Sequence, residues 1–141
     1  MKIAKFEDIL AWQKSQILVL NIYKQFYPCH DFLFKDQILR AAVSIMNNIA
    51  EGYERMSNKD FKNFLYISKG SCGEVRSMLY LALKLKYISP SNFDCLHQQS
   101  IEISKIISGL IKTLWTWLTW WTLWTLQTWW TLQTLQTWWT W

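Results

Sequence analysis

Apolar side chains recur along most of this chain at the three-and-four spacing of helices, not with the alternation of strands. From Phe6 to Tyr27 the residues Phe6, Ile9, Leu10, Ile17, Leu20 and Tyr23 fall close to one helical face, and Pro28 supplies a stop. This predicts a first helix that buries that line. After Cys29-His-Asp-Phe, a second run from about Phe34 to Tyr53 puts Ile38, Ala42, Ile45 and Ile49 on one line, with Leu39, Val43, Met46 and Ala50 beside it. That face is broader than a single coiled-coil seam needs. Ser57-Asn-Lys-Asp60 has the form of a capping box, so a third helix is expected to start there and run to about Tyr87. It would carry Phe61, Phe64, Leu65, Ser68, Cys72, Val75, Leu79, Ala82 and Leu83. Ser89-Pro90 pairs an N-cap with the helical position where proline is best tolerated, and Phe93, Leu96, Ile103, Ile106, Ile107, Leu110 and Ile111 follow on a fourth helix. Short connections between long amphipathic helices force antiparallel neighbours. The pattern therefore predicts an all-α, up-down-up-down four-helix bundle over residues 1–112.

The chain changes character at Thr113. From there to Trp141 every third residue is threonine, and only Leu, Trp and Gln stand between. A period of three drifts around an α-helix and alternates faces in a strand, so it builds no single buried face. Length and lack of charge admit a membrane-span reading. Ten threonines, three glutamines and ten tryptophans, which suit interfaces better than hydrocarbon, weigh against it. Residues 113–141 read as a low-complexity repeat extension outside the functional domain, and membrane association is not expected.

Composition narrows the picture further. About half of the 141 residues are apolar, enough for one core without staples, and two prolines with four glycines leave little room for the turns of an all-β fold. The net charge of +5 arises from 15 basic and 10 acidic residues, and the basic ones are scattered, which permits nucleic-acid contact without demanding it. Three widely spaced cysteines fit a reducing compartment better than a disulfide framework. The start, MKIAKFEDIL, lacks the apolar stretch of a secretory leader, so the cytoplasm is the expected location.

Candidate chemistry is sparse. On the second helix Arg40, Ser44, Asn47 or Asn48, Glu51 and Arg55 recur at steps of three and four, forming a polar stripe between apolar faces. It reads either as a solvated face or as groups that must find partners, because an unpaired buried polar group costs ~1–3 kcal/mol. The third helix offers Lys69, Ser71, Glu74 and Arg76 around Gly70 and Gly73, and mid-helix glycines costing about 1 kcal/mol each suggest a close backbone approach there. Cys29-His30 and Cys95-Leu-His97 lack the spacing of metal sites. No phosphate loop, nucleophile elbow or zinc-protease motif occurs, so no catalytic residue, cofactor, metal or small-molecule substrate is expected.

FEDILAWQKSQ near the start and DQILRAAVSIMNNIAEGYERMSNKDFKNFLYISKGSCGEV further on carry AWQK, SIxxNIAEG and GSxxE at specific separations. Over roughly residues 3 to 112 the chain resembles the four-helix bundle proteins encoded in intervening sequences of bacterial 23S ribosomal RNA genes, relatives of the accessory protein of diversity-generating retroelements. The resemblance implies a ring-like homopentamer and, from the retroelement relatives, a basic surface for nucleic acid and a polymerase partner. Where that family commonly pairs two arginines before the alanines, this chain has Leu39-Arg40.

Two expectations follow. One is a non-catalytic, homo-oligomeric protein that binds ribosomal RNA or its DNA through Lys14, Arg40, Arg55, Lys59, Lys62, Lys69 and Arg76, the other a scaffold that recruits a protein such as a polymerase. In both, Ser44, Asn48, Glu51, Gly52, Gly70, Ser71 and Glu74 would specify bundle register and oligomer state where helix two meets helix three.

Overall fold

A computed structural model describes the backbone of residues 3–136 and the side chains of residues 3–114. A single 3-10 turn, Phe6–Asp8, leads into four helices: α1 (Leu10–Phe26), α2 (Phe32–Glu54), α3 (Asn58–Lys84) and α4 (Pro90–Gln136). The described residues form an all-α bundle. The caps explain the boundaries. Asp31 accepts from the Phe34 amide at 3.0 Å, which starts α2 two residues earlier than its apolar pattern suggests. Ser57 accepts from the Asp60 amide at 3.4 Å, as the capping box predicts. Ser89 accepts from the Asn92 amide at 3.3 Å, ahead of Pro90. At the far end of α3 the Tyr87 amide reaches the Ala82 carbonyl and the Lys86 amide reaches that of Leu83, with Lys86 left-handed at φ 60°, a Schellman stop.

Side-chain pairs fix how the helices run. From α1 to α4, Lys14 meets Glu102, Asn21 meets Gln99, and Gln25 meets Asn92. From α2 to α3, Gln37 meets Glu74, Ser44 meets Ser71, and Tyr53 meets Phe61. In each set numbers rise on one helix as they fall on the other, which is antiparallel packing. α1 touches α2 and α4, and α3 touches α2 and α4, so α1 and α3 occupy opposite corners.

The core follows the predicted faces of α2, α3 and α4. Ile38, Ala42, Ile45, Ile49, Leu65, Cys72, Val75, Leu79, Ile103 and Ile107 are all buried. Two buried hydroxyls tie helices together by donating to carbonyls across an interface, Ser68 to Ile45 at 2.8 Å and Ser100 to Cys72 at 3.1 Å. Each holds one axial register, because a slip would leave a buried hydroxyl without its acceptor.

α1 corrects the sequence expectation. Its buried face is Ala11, Ser15, Leu18, Val19, Ile22 and Phe26, while Leu10, Ile17, Leu20 and Tyr23 of the predicted line are 49–63% exposed. The helix is apolar on two faces, and packing against α2 and α4 selects the one that carries Leu18, Ile22 and Phe26.

α4 continues as helix without a break through Thr113 to Gln136. Ile111 is buried and Leu114 packs partly against the core, so bundle packing reaches the first residues of the repeat. No helix among the described residues is long and apolar enough to cross a membrane. The membrane reading of the repeat concerns side chains that lie almost wholly outside the described residues.

Candidate nucleic-acid interface

The expected basic residues separate into two groups. Lys14 bridges to Glu102 at 2.9 Å, in the α1–α4 seam. Arg40 sits 3.7 Å from Asp36 on its own helix. Arg55 holds Glu51 at 2.8 Å and lies 4.7 Å over the Phe64 ring, so its charge is matched and its stem packed. Lys59 is exposed on the first turn of α3.

Lys62, Lys69 and Arg76 form the second group. They are spaced by seven residues, so they share one line of α3 about 21 Å long. The ring contacts of Tyr80, one turn past Arg76 on the same line, with Phe93 and His97 of α4 place that line along the α4 side, where the Cys72 carbonyl accepts from Ser100. On α4, Lys105 and Lys112 repeat the same seven-residue step, three and ten residues beyond Glu102. With Cys72 opposite Ser100 and the helices antiparallel, Lys69 falls beside Lys105, and Lys62 beside Lys112. Both carboxylates of α3 belong elsewhere: Glu74 accepts from Gln37 of α2 at 2.7 Å, and Asp60 lies in the capping turn. On α4, Glu102 faces α1, and Asp94 stands beyond the far end of the row.

The result is a groove between α3 and α4 edged by five cations. Its electrostatics suit a linear polyanion, because neighbouring positive charges add in potential where no carboxylate intervenes. Lys105 and Lys112 were missed by reading charges singly. The signal was present as the shared heptad step, which acquires meaning only once α3 and α4 are known to be antiparallel neighbours.

The residues expected to specify the bundle also divide. The Ser44 and Ser71 hydroxyls lie 2.9 Å apart, and Asn48 donates to both the Ser44 carbonyl and its hydroxyl, so this trio joins α2 to α3. Gly52 is buried beneath Phe61 and Phe64. Glu51 departs from expectation: it is exposed and engaged by Arg55 rather than by α3. Gly70 departs as well, since a methyl group there would meet nothing within 4 Å, and one at Gly73 would meet only the Arg76 guanidinium. The close approach of the two helices is made at Gly52.

The cysteines form no centre. Cys95 lines a cleft with Asn21 and Lys24 of α1, whereas His97 stacks on Phe93 and meets Tyr80 of α3, so the two turn to different faces. No group of three or more potential metal ligands occurs among the described residues. Burial pushes the Cys72 thiol up to about 12, against the pull of Arg76 and Lys69. It is therefore inert at neutral pH, while Cys95 is exposed. Native alkylation followed by mass spectrometry should label Cys95 quickly and Cys72 only after unfolding. Labelling of Cys72 at the Cys95 rate in native buffer would contradict the packing. The sign in alkali follows. Above pH 9 the unfolded thiol ionises while the folded one keeps its proton, so this burial lowers stability by up to ~1.4 kcal/mol per pH unit until about pH 12. At the base of the bundle, Tyr87 donates to Asp31 at 3.1 Å, and that carboxylate holds the phenol above its ordinary value.

These features define a helical-bundle protein with a basic inter-helix groove and a polar α2–α3 register lock. The sequence pattern of the 23S rRNA-intervening sequence protein family matches residues 7–109, and the chain belongs to that family. It is similar over 73% of its length, at 30% identity and a TM-score of 0.69, to the crystal structure of a protein of unknown function from the S23 ribosomal protein family of Bacteroides thetaiotaomicron, 99% of which is covered. No curated protein matches the chain.

Proposed function

We propose that this protein is a non-catalytic, homo-oligomeric bundle of the cytoplasm that binds nucleic acid, as RNA or DNA of the 23S rRNA intervening sequence, along the α3–α4 groove. Residues 1–112 form the functional unit and residues 113–141 an extension outside it. The observation that carries the binding reading is the row Lys62, Lys69, Arg76, Lys105 and Lys112, set on one groove at helical heptads with the nearby carboxylates turned to other faces. Five phosphate contacts to a single strand give a slope of about −3.5 in log K against log salt. Fluorescence anisotropy of the full chain with a labelled oligonucleotide between 50 and 200 mM salt measures it, and a flat response overturns the reading.

Self-association is supported by two exposed apolar strips. On α1, Leu10, Ile17 and Leu20 are exposed, and on α3, Tyr66 and Ile67 are exposed about one turn before Gly70 and Leu81 about three turns after it. Mid-helix glycines with no intramolecular neighbour suit close approach by another body. Because the strips differ and lie on opposite corners, they pair head to tail, the heterologous contact from which closed rings are made. Light scattering on the full chain should give a multiple of the 17.0 kDa protomer, a pentamer as the family resemblance implies. Leu20→Glu or Ile67→Glu should reduce it to monomer. A wild-type monomer would assign these strips to a different protein and favour the scaffold reading.

A further inference from the structure

The α3–α4 groove does not end at Arg76. One turn further along α3 stands Tyr80, 53% exposed, with its ring centroid 5.1 Å from Phe93 and 5.3 Å from His97 of α4. His97 in turn lies nearly parallel to Phe93, 19° between planes and 5.1 Å between centroids. Phe93 is 8% exposed and belongs to the core, whereas Tyr80 and the half-buried His97 stand above it at the surface. A core needs the first ring only. The two outer rings extend the row of cations with a firm aromatic ledge, held edge-on and stacked so that their orientation is fixed before anything binds.

Cations that follow a backbone and an aromatic ledge beside them suit different parts of one ligand. Phosphates are attracted to Lys69, Arg76 and Lys105, and an unpaired base has a π-face to lay on a ring. A duplex offers the phosphates but keeps its bases stacked inside, so it can use only the first half of the groove. Asp94, exposed one residue past Phe93, disfavours a phosphate at the aromatic end and can accept from an exocyclic amino group.

We infer that the Tyr80–Phe93–His97 cluster is a stacking platform for an unpaired base, which makes the α3–α4 groove selective for single-stranded nucleic acid over duplex. The inference rests on the nucleic-acid reading above and adds the ligand's strandedness to it. Every base has a π-face, so RNA and DNA strands of one sequence should respond alike, with tolerance of sequence.

The test uses the full chain and a fluorescein-labelled 20-nucleotide RNA, its DNA counterpart, and each annealed to its complement, read by anisotropy at fixed salt. Wild type should bind both single strands more tightly than the duplexes. Tyr80→Ala should weaken single-strand binding roughly tenfold while duplex affinity and salt slope stay within twofold, and Tyr80→Phe, which keeps the ring, should bind as wild type. Circular dichroism melts confirm that each variant is folded, and Tyr80→Phe against His97→Ala keeps the test valid if Tyr80→Ala is not. Lys69→Gln should weaken single strands and duplexes together and flatten the slope. Equal affinity of wild type for both forms, or unchanged single-strand binding by folded Tyr80→Ala and His97→Ala, overturns the platform and leaves the cation row intact. No binding of either form, or no effect of Lys69→Gln, overturns the groove and the platform with it.

Discussion

Gly52→Ala should destabilise the protein by on the order of 2 kcal/mol, lowering the melting temperature by roughly 5–10 °C. A methyl group at this position would lie 2.5 Å from the Phe64 Cβ and 3.2 Å from the Phe61 ring. The Phe64 Cβ is fixed to the α3 backbone and cannot swing away, so α2 and α3 must separate. Overpacking of this kind costs ~1–3 kcal/mol and more where backbone must move, and the better helix propensity of alanine returns only ~1 kcal/mol. The separation also reaches the Ser44–Ser71 contact two turns away, where a hydroxyl pair at 2.9 Å tolerates little stretching. Gly70→Ala is the control. With nothing within 4 Å to obstruct the methyl, it should raise the stability of the dissociated protomer by ~1 kcal/mol. Urea denaturation of both variants at low concentration compares them. A neutral Gly52→Ala would mean that another contact sets the α2–α3 spacing.

Neutralising Lys62, Lys69, Arg76, Lys105 and Lys112 together to glutamine should weaken binding of a single-stranded oligonucleotide by roughly 10³-fold at 0.15 M salt and abolish most of the salt dependence. Each lost phosphate contact removes about 0.7 from the slope for a single strand, and the logarithmic form makes the losses multiply. Five other cations, exposed or half-buried, serve as the comparison: Lys24, Lys35, Arg40, Lys59 and Lys84 carry the same total charge on other parts of the surface. Their replacement should change the affinity far less, since charges beyond a Debye length of about 8 Å are screened. Equal losses in the two variants would show that net charge, and not the groove, drives binding. The folding risk is small, because all five groove residues have exposed or half-buried side chains and none belongs to the core.

Much of the architecture was legible in the chain. α2 was readable because its strongly apolar and strongly polar lines are separated, so Ile38, Ile45 and Ile49 had one place to go. Ser57 and Ser89 marked their helix starts through local hydrogen bonds that need no tertiary partner. α1 was not readable to the same degree. Its outer line of Leu10, Ile17, Leu20 and Tyr23 scores as well as its inner line of Leu18, Ile22 and Phe26, and periodicity alone cannot rank two apolar faces. The polar stripe of α2 was seen as a unit, yet Ser44 and Asn48 turn toward α3 while Glu51 and Arg55 close on each other, one turn apart and further from the axis of contact. The glycines misled in a similar way. A glycine in a helix announces a close approach or none, and only the neighbour's position tells that Gly52 has one and Gly70 does not.

The sequence by itself determined the four helices, the caps that start α3 and α4, three of the four buried faces and membership in a bundle family, because helix periodicity and capping are local and short in range. The tertiary structure decided which face of α1 is inward, which glycine is crowded and which charges stand together. Lys62 and Lys112 are 50 positions apart in the chain, and Tyr80 and His97 are 17 apart. Their assembly into one groove depends on the antiparallel register of α3 on α4, which the Ser100 hydroxyl fixes against the Cys72 carbonyl. That register is a long-range property of packed surfaces, and no window of sequence contains it.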